Sequence, residues 1–396
     1  MTRVGQPPQT AADGAGERAA WLRLTMAPGI GPVAVRALLA EFGLPTALFE
    51  ARPAQLAARA GAQLSEAQAR ALLAPPAAAT LAATAALEAW LVLHPSHRLL
   101  TLADRDYPAA LLTTADPPPL LYAIGRCELL AGPALAIVGS RNATQQGAAT
   151  AEAFARRLAA AGLHIVSGLA LGIDAAAHRG ALQAAAQGAA GGTIAVVGTG
   201  VDVVYPASNR ELTERLRREA LVLSEFPLGT PPLEHNFPRR NRIIAGLARG
   251  VLVIEAALRS GSLITARLAG EQGREVFAVP GSIHSTLSKG CHRLIKDGAK
   301  LVESAQDILE ELRLDEPPPA VPAAKPADAG AGAAEPAGAT PEQARLLAAL
   351  GHDPVDLDTL VQRTGQAAGA LSAQLLELEL AQHVERLPGN RYQRLR

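Results

Sequence analysis

The sequence predicts an α/β protein in which an extended Rossmann-like parallel-sheet domain is flanked by a small α-helical domain and a winged-helix domain. Short apolar segments alternate with amphipathic segments between residues 130 and 312. Continuous apolar strands of this kind are typical of a parallel sheet that is covered by helices on both faces. Segments with helical periodicity precede this region, and three further helical segments with a hairpin follow it.

Composition and charge exclude several classes of protein. Lysine and arginine together number 37 in 396 residues, and aspartate and glutamate also number 37, so no overall field attracts nucleic acid. Any binding to a polyanion must therefore depend on local patches. The two cysteines, Cys127 and Cys291, are far apart and form no CxxC pair, which indicates neither a disulfide framework nor a zinc site. We expect no metal and no cofactor.

Two features of the sequence favour a cytoplasmic protein without a membrane span. Residues 1–20 lack the apolar core of a signal peptide. No apolar run reaches the length of a membrane span, because Arg, Glu or Gln interrupts the Ala-rich segments.

The N-terminal part of the chain divides into three segments. Residues 1–19 are polar and rich in Pro, Gly and Ala, and we expect them to be disordered. Residues 20–95 predict an α-helical domain of the SAM or helix-hairpin-helix kind, with a turn at PGIGP, residues 28–32. The turn glycines let backbone N–H groups approach a phosphate, or they only permit a close helix turn. The scarcity of cations other than Arg36 favours the close turn. Residues 96–129 form a connecting segment.

The alternating pattern defines the Rossmann-like domain, residues 130–312. The predicted strands are 135–140, 164–169, 193–198, 221–226, 251–256, 275–280 and 300–304. The predicted helices are 145–161, 173–186, 208–219, 239–248, 262–272 and 290–297. Because each strand is followed by a helix, the strands are expected to run parallel.

Glycines and polar residues follow the predicted strands, and ligands bind outside the carboxyl ends of the strands in open parallel sheets. The first strand ends in Gly139-Ser140-Arg141, where a glycine turn, a hydroxyl and a guanidinium precede a helix. These groups suit a phosphate. The fifth strand is followed by hydroxyls and a glycine at a helix start, namely Ser260, Gly261, Ser262 and Thr265. The pattern is not GxGxxG and no acid ends the second strand, which disfavours a dinucleotide.

Asp174 and His178 lie one helical turn apart after the second strand. They form either a functional acid and histidine or a helix-terminal aspartate with a structural histidine. Aspartate is common at helix N-termini, where it stabilises free N–H groups, so the structural interpretation is favoured.

The stretch EHNFPRRNRIIAGLAR, residues 234–249, has no acid between His235 and Arg249 and carries four arginines. Guanidiniums bind phosphates, an aromatic ring stacks on a base, and amides reach polar base edges, so these residue types suit a single nucleic-acid strand. The alternative is an amphipathic helix whose arginine face is merely solvated. Arg239, Arg240 and Arg242 point in different directions on a helix, so not all three can face one strand, and one can be a structural ion-pair partner.

The C-terminal part contains a flexible linker and a winged helix. Residues 313–340 are rich in Pro, Ala and Gly and lack periodicity, which is typical of a linker. Residues 341–396 predict three helices and a hairpin that turns at Pro388-Gly389-Asn390. The third helix, within 365–380, has no Lys or Arg. It is therefore either a protein-contact helix or a reader of the major groove.

A series of motifs carries a family resemblance. In order they are VGSR, SGLALGIDAAAH, GTGVDVVYPASNREL, SEFPLGTPPLEHNFPRRNRIIAGLA, VIEAALRSGSLITA, GREVFAVPG and SKGCHRLIKDGAK. Over residues 130–304 the chain resembles the DNA-processing protein A family, also called DprA or Smf. The resemblance implies a cytoplasmic protein, not an enzyme, that binds incoming single-stranded DNA in natural transformation. It also implies loading of the RecA recombinase and a homodimer formed through the Rossmann-like domain.

The resemblance and the strand-end pattern together define the expected DNA-binding residues. They are Gly139, Ser140, Arg141, Asn236, Phe237, Arg239, Arg240, Asn241, Arg242, Ser260, Gly261, Ser262, Thr265 and Lys289. One departure concerns the loop after Lys289, where the family usually has Gly-Thr-Asn and this chain has Gly290-Cys291-His292.

Two other functions fit parts of the pattern. A phosphoribohydrolase acting on nucleoside monophosphates would use glycine turns with acids such as Asp174, Glu225 and Glu255. Such hydrolases resemble proteins with a PGGxGT loop, and residues 279–282 match that loop only weakly. A structural adaptor acting through the winged helix and a dimer face would have no affinity for single strands.

Overall fold

Six helices form the N-terminal domain within the part of the chain that the structure, a computed structural model, describes: residues 11–60, 64–313, 340–351 and 354–395. They are α1 (Ala11–Thr25), α2 (Pro32–Phe42), α3 (Pro45–Phe49), α4 (Pro53–Ala60), α5 (Glu66–Leu73) and α6 (Ala78–Leu93). The expected disorder up to residue 19 is therefore wrong for residues 11–19, whose helix leads directly into a buried segment. Residues 1–10 lie outside the described residues.

The turn between α1 and α2 is a close helix turn. Gly29 has a φ of 75°, which L side chains rarely adopt, and α2 begins with Pro32. The nearby cation Arg36 donates to the backbone oxygen of Thr114 at 3.1 Å. Since this guanidinium already has a carbonyl partner, the geometry agrees with the interpretation that the glycines serve the turn.

No single helix in the described part of the chain is long and apolar enough to cross a membrane. Only the bent pair Glu66–Leu73 and Ala78–Leu93, which are inclined by 51°, passes the length and composition test together.

Nine strands in the described residues form one sheet. The strands are β1 (His97–Thr101), β2 (Leu120–Gly125), β3 (Ala134–Gly139), β4 (His164–Ser167), β5 (Thr193–Val196), β6 (Leu221–Ser224), β7 (Gly250–Ile254), β8 (Glu275–Ala278) and β9 (Lys300–Leu301). The helices are α7 (Ala109–Leu112), α8 (Gln145–Ala160), α9 (Ile173–Ala186), α10 (Arg210–Glu219), α11 (Asn236–Leu247), α12 (Ser262–Glu271), α13 (Lys289–Lys296) and α14 (Ala305–Glu311). Short 3-10 helices span Cys127–Ala131 and Ala207–Asn209.

The strand order is β1-β2-β6-β5-β4-β3-β7-β8-β9. The seven strands from β3 to β9 pair in parallel, as the alternating sequence pattern predicts. β1 and β2 pair antiparallel with each other, and β2 also pairs antiparallel with β6. Residues 96–129 are therefore not merely a connecting segment, because they contribute two strands to the sheet and move the start of this domain from residue 130 to about residue 97.

The N-terminal helices pack on the β2 and β6 end of the sheet. Trp21 and Trp90 are buried in one apolar cluster with Tyr122 of β2 and Val222 of β6. The rings of Trp90 and Tyr122 meet edge to face, with 6.2 Å between their centroids. Burial of such large rings is a major stabilising term, so the helical domain and the sheet form a continuous apolar core at this end.

His178 is buried within α9 and has a structural role. Its Nδ1 lies 2.7 Å from the hydroxyl oxygen of Thr193, and that hydroxyl donates to the backbone oxygen of Ile165 at 2.7 Å. The Nδ1–H of His178 must therefore donate to Thr193. Burial lowers the pKa of His178 to about 3, so the imidazole is neutral in the folded protein. The sequence interpretation of a structural histidine agrees with this geometry.

We expect His178 to destabilise the fold in acid. Its pKa is about 3 when folded and about 6.5 when unfolded, so the unfolded state binds more protons between these values. The stabilising effect of neutral His178 is complete above the unfolded pKa and is lost as the pH falls below it, by up to about 1.4 kcal/mol per pH unit. Urea unfolding of wild type and His178→Asn should show a stability difference that shrinks from about pH 6.5 downward. A difference independent of pH would contradict this.

The winged-helix domain has its own core and a small sheet. Its elements are α15 (Pro341–Leu350), β10 (Val355–Asp356), α16 (Leu357–Thr364), α17 (Ala368–Leu380), β11 (Val384–Leu387) and β12 (Arg391–Arg394). The strand order is β10-β12-β11. Leu346, Leu360, Leu371, Leu375 and Tyr392 belong to the buried cluster that joins the three helices to the hairpin. The predicted winged helix is therefore confirmed, while most of the predicted linker, residues 314–339, lies outside the described residues.

Candidate nucleic-acid interface

A cleft of about 700 Å³ opens at the carboxyl edge of the sheet where β3 and β7 lie side by side. From β3 the chain continues through β4, β5 and β6 on one side, and β7 to β9 lie on the other side. Such a reversal of strand order leaves a crevice, which is the usual ligand site of open α/β sheets. The cleft is lined by residues that follow β3 and β7 and by one face of α11.

Glycine allows the backbone of β3 to approach β7 closely at the cleft. A Cβ atom at Gly139 would overlap the carbonyl oxygen of Ile254 and the side chain of Ile173. The buried hydroxyl of Ser140 accepts from the N–H of Asn142 at 3.1 Å. This turn therefore directs the next side chain, Arg141, outward from the sheet.

Arg141 is an exposed cation at the cleft. It makes no ion pair with any residue that the structure describes. Its guanidinium carbon lies 5.6 Å from the ring centroid of Phe237, within cation–π range. A free guanidinium beside an aromatic ring can bind a phosphate while a base stacks on the ring.

One face of α11 lines the cleft. Phe237, Arg240, Asn241 and Ile244 have the i, i+3, i+4, i+7 spacing of a single helix face, and all four line it. The ring of Phe237 lies 5.7 Å from the ring of Tyr205, between centroids. α11 begins at Asn236, three residues before the predicted start, and this extra turn places Phe237 on the helix. The result is an aromatic pair at the cleft wall.

Arg240 lies at the floor of the cleft and is almost fully buried. Its Nη1 donates to the backbone oxygen of Val196 at the end of β5. Burial lowers its pKa to about 10, while the carboxylate of Asp174 acts to raise it, so the side chain stays cationic at neutral pH. Asp174 accepts from the N–H groups of Gly168 at 3.1 Å and Ala170 at 3.3 Å. Arg240 is thus a buried charge beside a fixed carboxylate rather than a free arginine.

The other arginines of α11 do not line the cleft. The guanidinium of Arg242 pairs with Glu225, and its Nε lies 3.2 Å from a carboxylate oxygen of Asp116. Both acids lie on the side of α11 that faces away from the cleft. Arg239 is exposed, and its guanidinium carbon lies 5.4 Å from the ring of Phe226. Helical spacing predicted that one of the three arginines can be a structural ion-pair partner, and in the structure this is Arg242. Neither Arg239 nor Arg242 joins Arg141 at the cleft.

The N-terminus of α12 points polar groups toward the cleft. The hydroxyl oxygens of Ser260 and Ser262 lie 2.7 Å apart, and the N–H of Ser262 donates to the Ser260 hydroxyl at 3.3 Å. Gly261 is the N-cap residue, and the first turn of α12 carries no acid. The positive end of the helix dipole favours an anion here, while the N–H groups of Ser262, Leu263 and Ile264 already donate to Ser260 and Gly261. Thr265 also lines the cleft, one turn into the helix.

The structure separates the expected DNA-binding residues into two groups. Those that line the cleft are Gly139, Ser140, Arg141, Phe237, Arg240, Asn241, Ser260, Gly261, Ser262 and Thr265. Asn236, Arg239, Arg242 and Lys289 do not line it. Asn236 is buried inside the fold instead.

Sequence reasoning missed three residues at the cleft. Arg259 and Glu234 are exposed residues that line the cleft, and Tyr205 supplies the second aromatic ring of the cleft wall. Arg259 precedes the serine-glycine segment directly, so its position relative to the α12 N-terminus was a usable signal. Tyr205 follows β5 by nine residues in an irregular loop, and only the folded chain brings it to Phe237.

A metal site finds no support in the described part of the chain, where no group of three or more His, Cys, Asp or Glu side chains could hold an ion. Both cysteines are free. Burial raises the pKa of Cys291 to about 11, so this thiol is protonated at neutral pH.

The fold and the cleft together define a Rossmann-like protein with a crevice lined by Arg141 and the N-terminus of α12, a helix-hairpin-helix domain and a winged helix. The chain belongs to the DNA recombination-mediator protein A family, whose model matches residues 98–313. The DprA-like N-terminal HHH domain matches residues 15–74, and the DprA winged helix domain matches residues 317–390. The family acts in DNA processing as a recombination mediator, which is a DNA-binding role and not a catalytic one.

Similar proteins are known from several bacteria. Protein Smf of Escherichia coli K12 is 43% identical over 309 residues, which are 76% of this chain and 78% of the relative. Protein Smf of Synechocystis is 37% identical over 410 residues, covering 96% of this chain and 99% of the relative. The crystal structure of DNA processing protein A from Streptococcus pneumoniae has a TM-score of 0.61 and 40% identity, covering 76% of this chain and 98% of that chain.

Proposed function

We propose that the protein binds single-stranded DNA without regard to sequence through the cleft between β3 and β7. In this role it protects incoming DNA and loads the RecA recombinase onto it during natural transformation. The RecA partner and a homodimer formed through the Rossmann-like domain are parts of the proposal that follow from the family resemblance.

The observation that supports this function is the combination of an arginine outside any ion pair in the described residues with two neighbouring aromatic rings. Arg141 lies beside Phe237, and Phe237 lies beside Tyr205. A single strand needs cations along its backbone and ring faces for its unpaired bases. In duplex DNA the bases stack on one another, so only an unpaired strand can use both groups. The positive end of the α12 dipole, with no acid in the first turn of the helix, favours a second phosphate nearby.

The hydrolase alternative loses support from the position of its carboxylates. Glu225 is buried and paired with Arg242, away from the cleft. Glu255 does not line the cleft either, and Asp174, which does line it, is buried and accepts from two backbone N–H groups beside Arg240. A general acid or base must reach the reacting atoms. Incubation of the protein with AMP and CMP is therefore expected to release no free base.

The function is tested by binding the full-length protein to a labelled single strand and to the matching duplex at several salt concentrations. We expect the single strand to bind at least tenfold more tightly, because its bases are free to stack on aromatic rings, at roughly 1–3 kcal/mol per base. The logarithm of the binding constant should fall linearly with the logarithm of salt concentration, by about 0.7 for each phosphate neutralised. Equal affinity for duplex and single strand, or no salt dependence, would contradict the proposal.

The recombinase part of the proposal needs a separate readout. Assembly of RecA on single-stranded DNA, followed through its ATP hydrolysis, should be faster in the presence of the protein. If the protein binds single strands but leaves RecA assembly unchanged, the binding part of the proposal stands and the loading part is refuted.

A further inference from the structure

Helix α13 carries a row of cations on its outer face. Lys289, Arg293 and Lys296 have the i, i+4, i+7 spacing of one helix face, and all three are exposed. The opposite face holds Cys291, which is buried, and Leu294, which packs against the core of the sheet domain. Packing of the apolar face therefore directs the three cations to solvent. We call these three residues the basic row.

The basic row stands out in a protein whose positive and negative charges balance. Lysine and arginine number 37, and so do aspartate and glutamate. Among the helices α7 to α14, all of which the structure describes, α8, α9, α10 and α12 each carry an acid as well as a cation, and α7 and α14 carry no cation. Only α11 and α13 in this set combine cations with no acid. Since α11 lines the cleft, α13 is a second concentration of positive charge outside it.

The cations of the basic row are available to a ligand. Lys289 and Lys296 make no ion pair with any residue that the structure describes. Arg293 lies 3.4 Å from Asp297, but their side chains are 70% and 61% exposed. An exposed pair of this kind contributes little to stability and is screened by salt. A phosphate can therefore replace Asp297 as the partner of Arg293 at little cost.

The basic row begins at the edge of the cleft. Leu287 lines the cleft and lies two residues before Lys289. Two backbone hydrogen bonds fix this corner, because the N–H of Ala256 donates to the oxygen of Leu287 and the N–H of Gly290 donates to the oxygen of Ala256. From there the row extends along α13 to Lys296, over about 10 Å at a rise of about 1.5 Å per residue. The cleft and the basic row thus form one continuous path.

The chemistry of the basic row fits the backbone of a nucleic-acid strand better than the surface of an acidic protein. The three cations are the only exposed residues of α13, a helix that the structure describes throughout, and the helix has no aromatic ring. Protein interfaces are built around apolar and aromatic anchors, which this face lacks. A phosphate backbone needs only cations along its path.

We propose that a bound single strand continues from the cleft onto α13, where Lys289, Arg293 and Lys296 bind its phosphates. The proposal rests on the proposed single-strand binding and extends its footprint. Bases stack in the cleft, and the backbone beyond them is held by charge alone. Lys289, an expected DNA-binding residue that does not line the cleft, then has a phosphate to bind.

The experiment compares a short and a longer oligo-dT strand, of about 6 and about 16 nucleotides, on the full-length protein. The short strand occupies the cleft, because the aromatic rings are there. Fluorescence anisotropy at several salt concentrations measures the affinities of wild type, Arg293→Gln and Arg267→Gln. Arg267 of α12 is the matched control. Both arginines are 70% exposed, and they lie 3.4 Å and 3.5 Å, respectively, from an acid four residues later.

We expect Arg293→Gln to bind the longer strand about three- to tenfold less tightly than wild type, with a salt slope that is smaller by about 0.7. Its affinity for the short strand should be that of wild type. Arg267→Gln should match wild type on both strands to within about twofold. Equal affinities of the two variants for the longer strand would overturn the proposal and favour an acidic protein as the partner of α13. An equal loss on the short strand would also overturn it, since Arg293 would then act in the cleft or through the fold.

The triple variant of Lys289, Arg293 and Lys296 to glutamine gives a larger effect. Three phosphate contacts at about 0.7 each should lower the salt slope on the longer strand by about 2, while the slope on the short strand stays as in wild type. An unchanged slope on the longer strand would overturn the proposal. Failure of wild type to bind either strand would instead refute the proposed function, so the two failures are distinguishable.

Discussion

Replacement of Arg242 by methionine should lower the free energy of unfolding by about 3 kcal/mol, because it removes the closer cation of a buried carboxylate and leaves only the exposed Arg239, 3.9 Å from Glu225. The Arg242 side chain is 11% exposed and that of Glu225 is 5% exposed. Arg242 also donates to the backbone oxygen of Asp116 at 2.7 Å. Urea unfolding followed by circular dichroism measures the loss. Affinity for single strands, measured where the variant is folded, should change little, since Arg242 does not line the cleft.

The control is the double variant Arg242→Met with Glu225→Leu. Replacing a whole buried ion pair by apolar groups is often neutral, so the double variant should recover most of the lost stability. Burial raises the pKa of Glu225, and Arg242 opposes that rise. Without Arg242 the carboxyl should therefore take up a proton more readily, and the deficit of the single variant should shrink as the pH is lowered. A single variant as stable as wild type, or a deficit that grows in acid, would contradict this assignment.

The arginines of α11 show how far a sequence pattern defines a site. Helical spacing alone establishes that Arg239, Arg240 and Arg242 cannot share a face. It cannot say which face meets the cleft, because that depends on where the helix packs. The partner of Arg242, Asp116, is 126 residues away in sequence. It belongs to a segment without periodicity, and no local signal links the two.

The parallel strands were predictable because each is a continuous apolar run followed by a helix. The antiparallel strands β1 and β2 were not, since no amphipathic helix of similar length follows them and β2 joins the sheet beside β6, a strand far along the chain. β2 consists of the apolar run LLYAIG, but its neighbour β6 begins only at Leu221. Contacts between residues distant in sequence limit the prediction of the cleft in the same way. Gly139, Arg141 and Ser262 follow from strand-end patterns, whereas Tyr205 reaches Phe237 only through a long loop.

Replacement of Arg141 by glutamine should weaken single-strand binding by about 10- to 100-fold, because a charge-assisted hydrogen bond contributes roughly 1.5–3 kcal/mol and each 1.4 kcal/mol is tenfold in affinity. Arg141 is exposed at the cleft and free of ion pairs within the described residues. Its loss also removes the cation beside the Phe237 ring. The salt slope should decrease by about 0.7, which corresponds to one phosphate contact.

Arg239→Gln is the charge-matched control, since it removes the same charge from a neighbouring exposed arginine outside the cleft lining, one whose Nη2 lies 3.9 Å from Glu225. It should change affinity by less than about threefold, which is the size of a screened surface charge effect. Anisotropy titrations of both variants at several salt concentrations decide the matter. If Arg239→Gln weakened binding as much as Arg141→Gln, the strand would have to run over the outer face of α11, beside Phe226. The cleft at the β3 and β7 reversal would then be only part of the path.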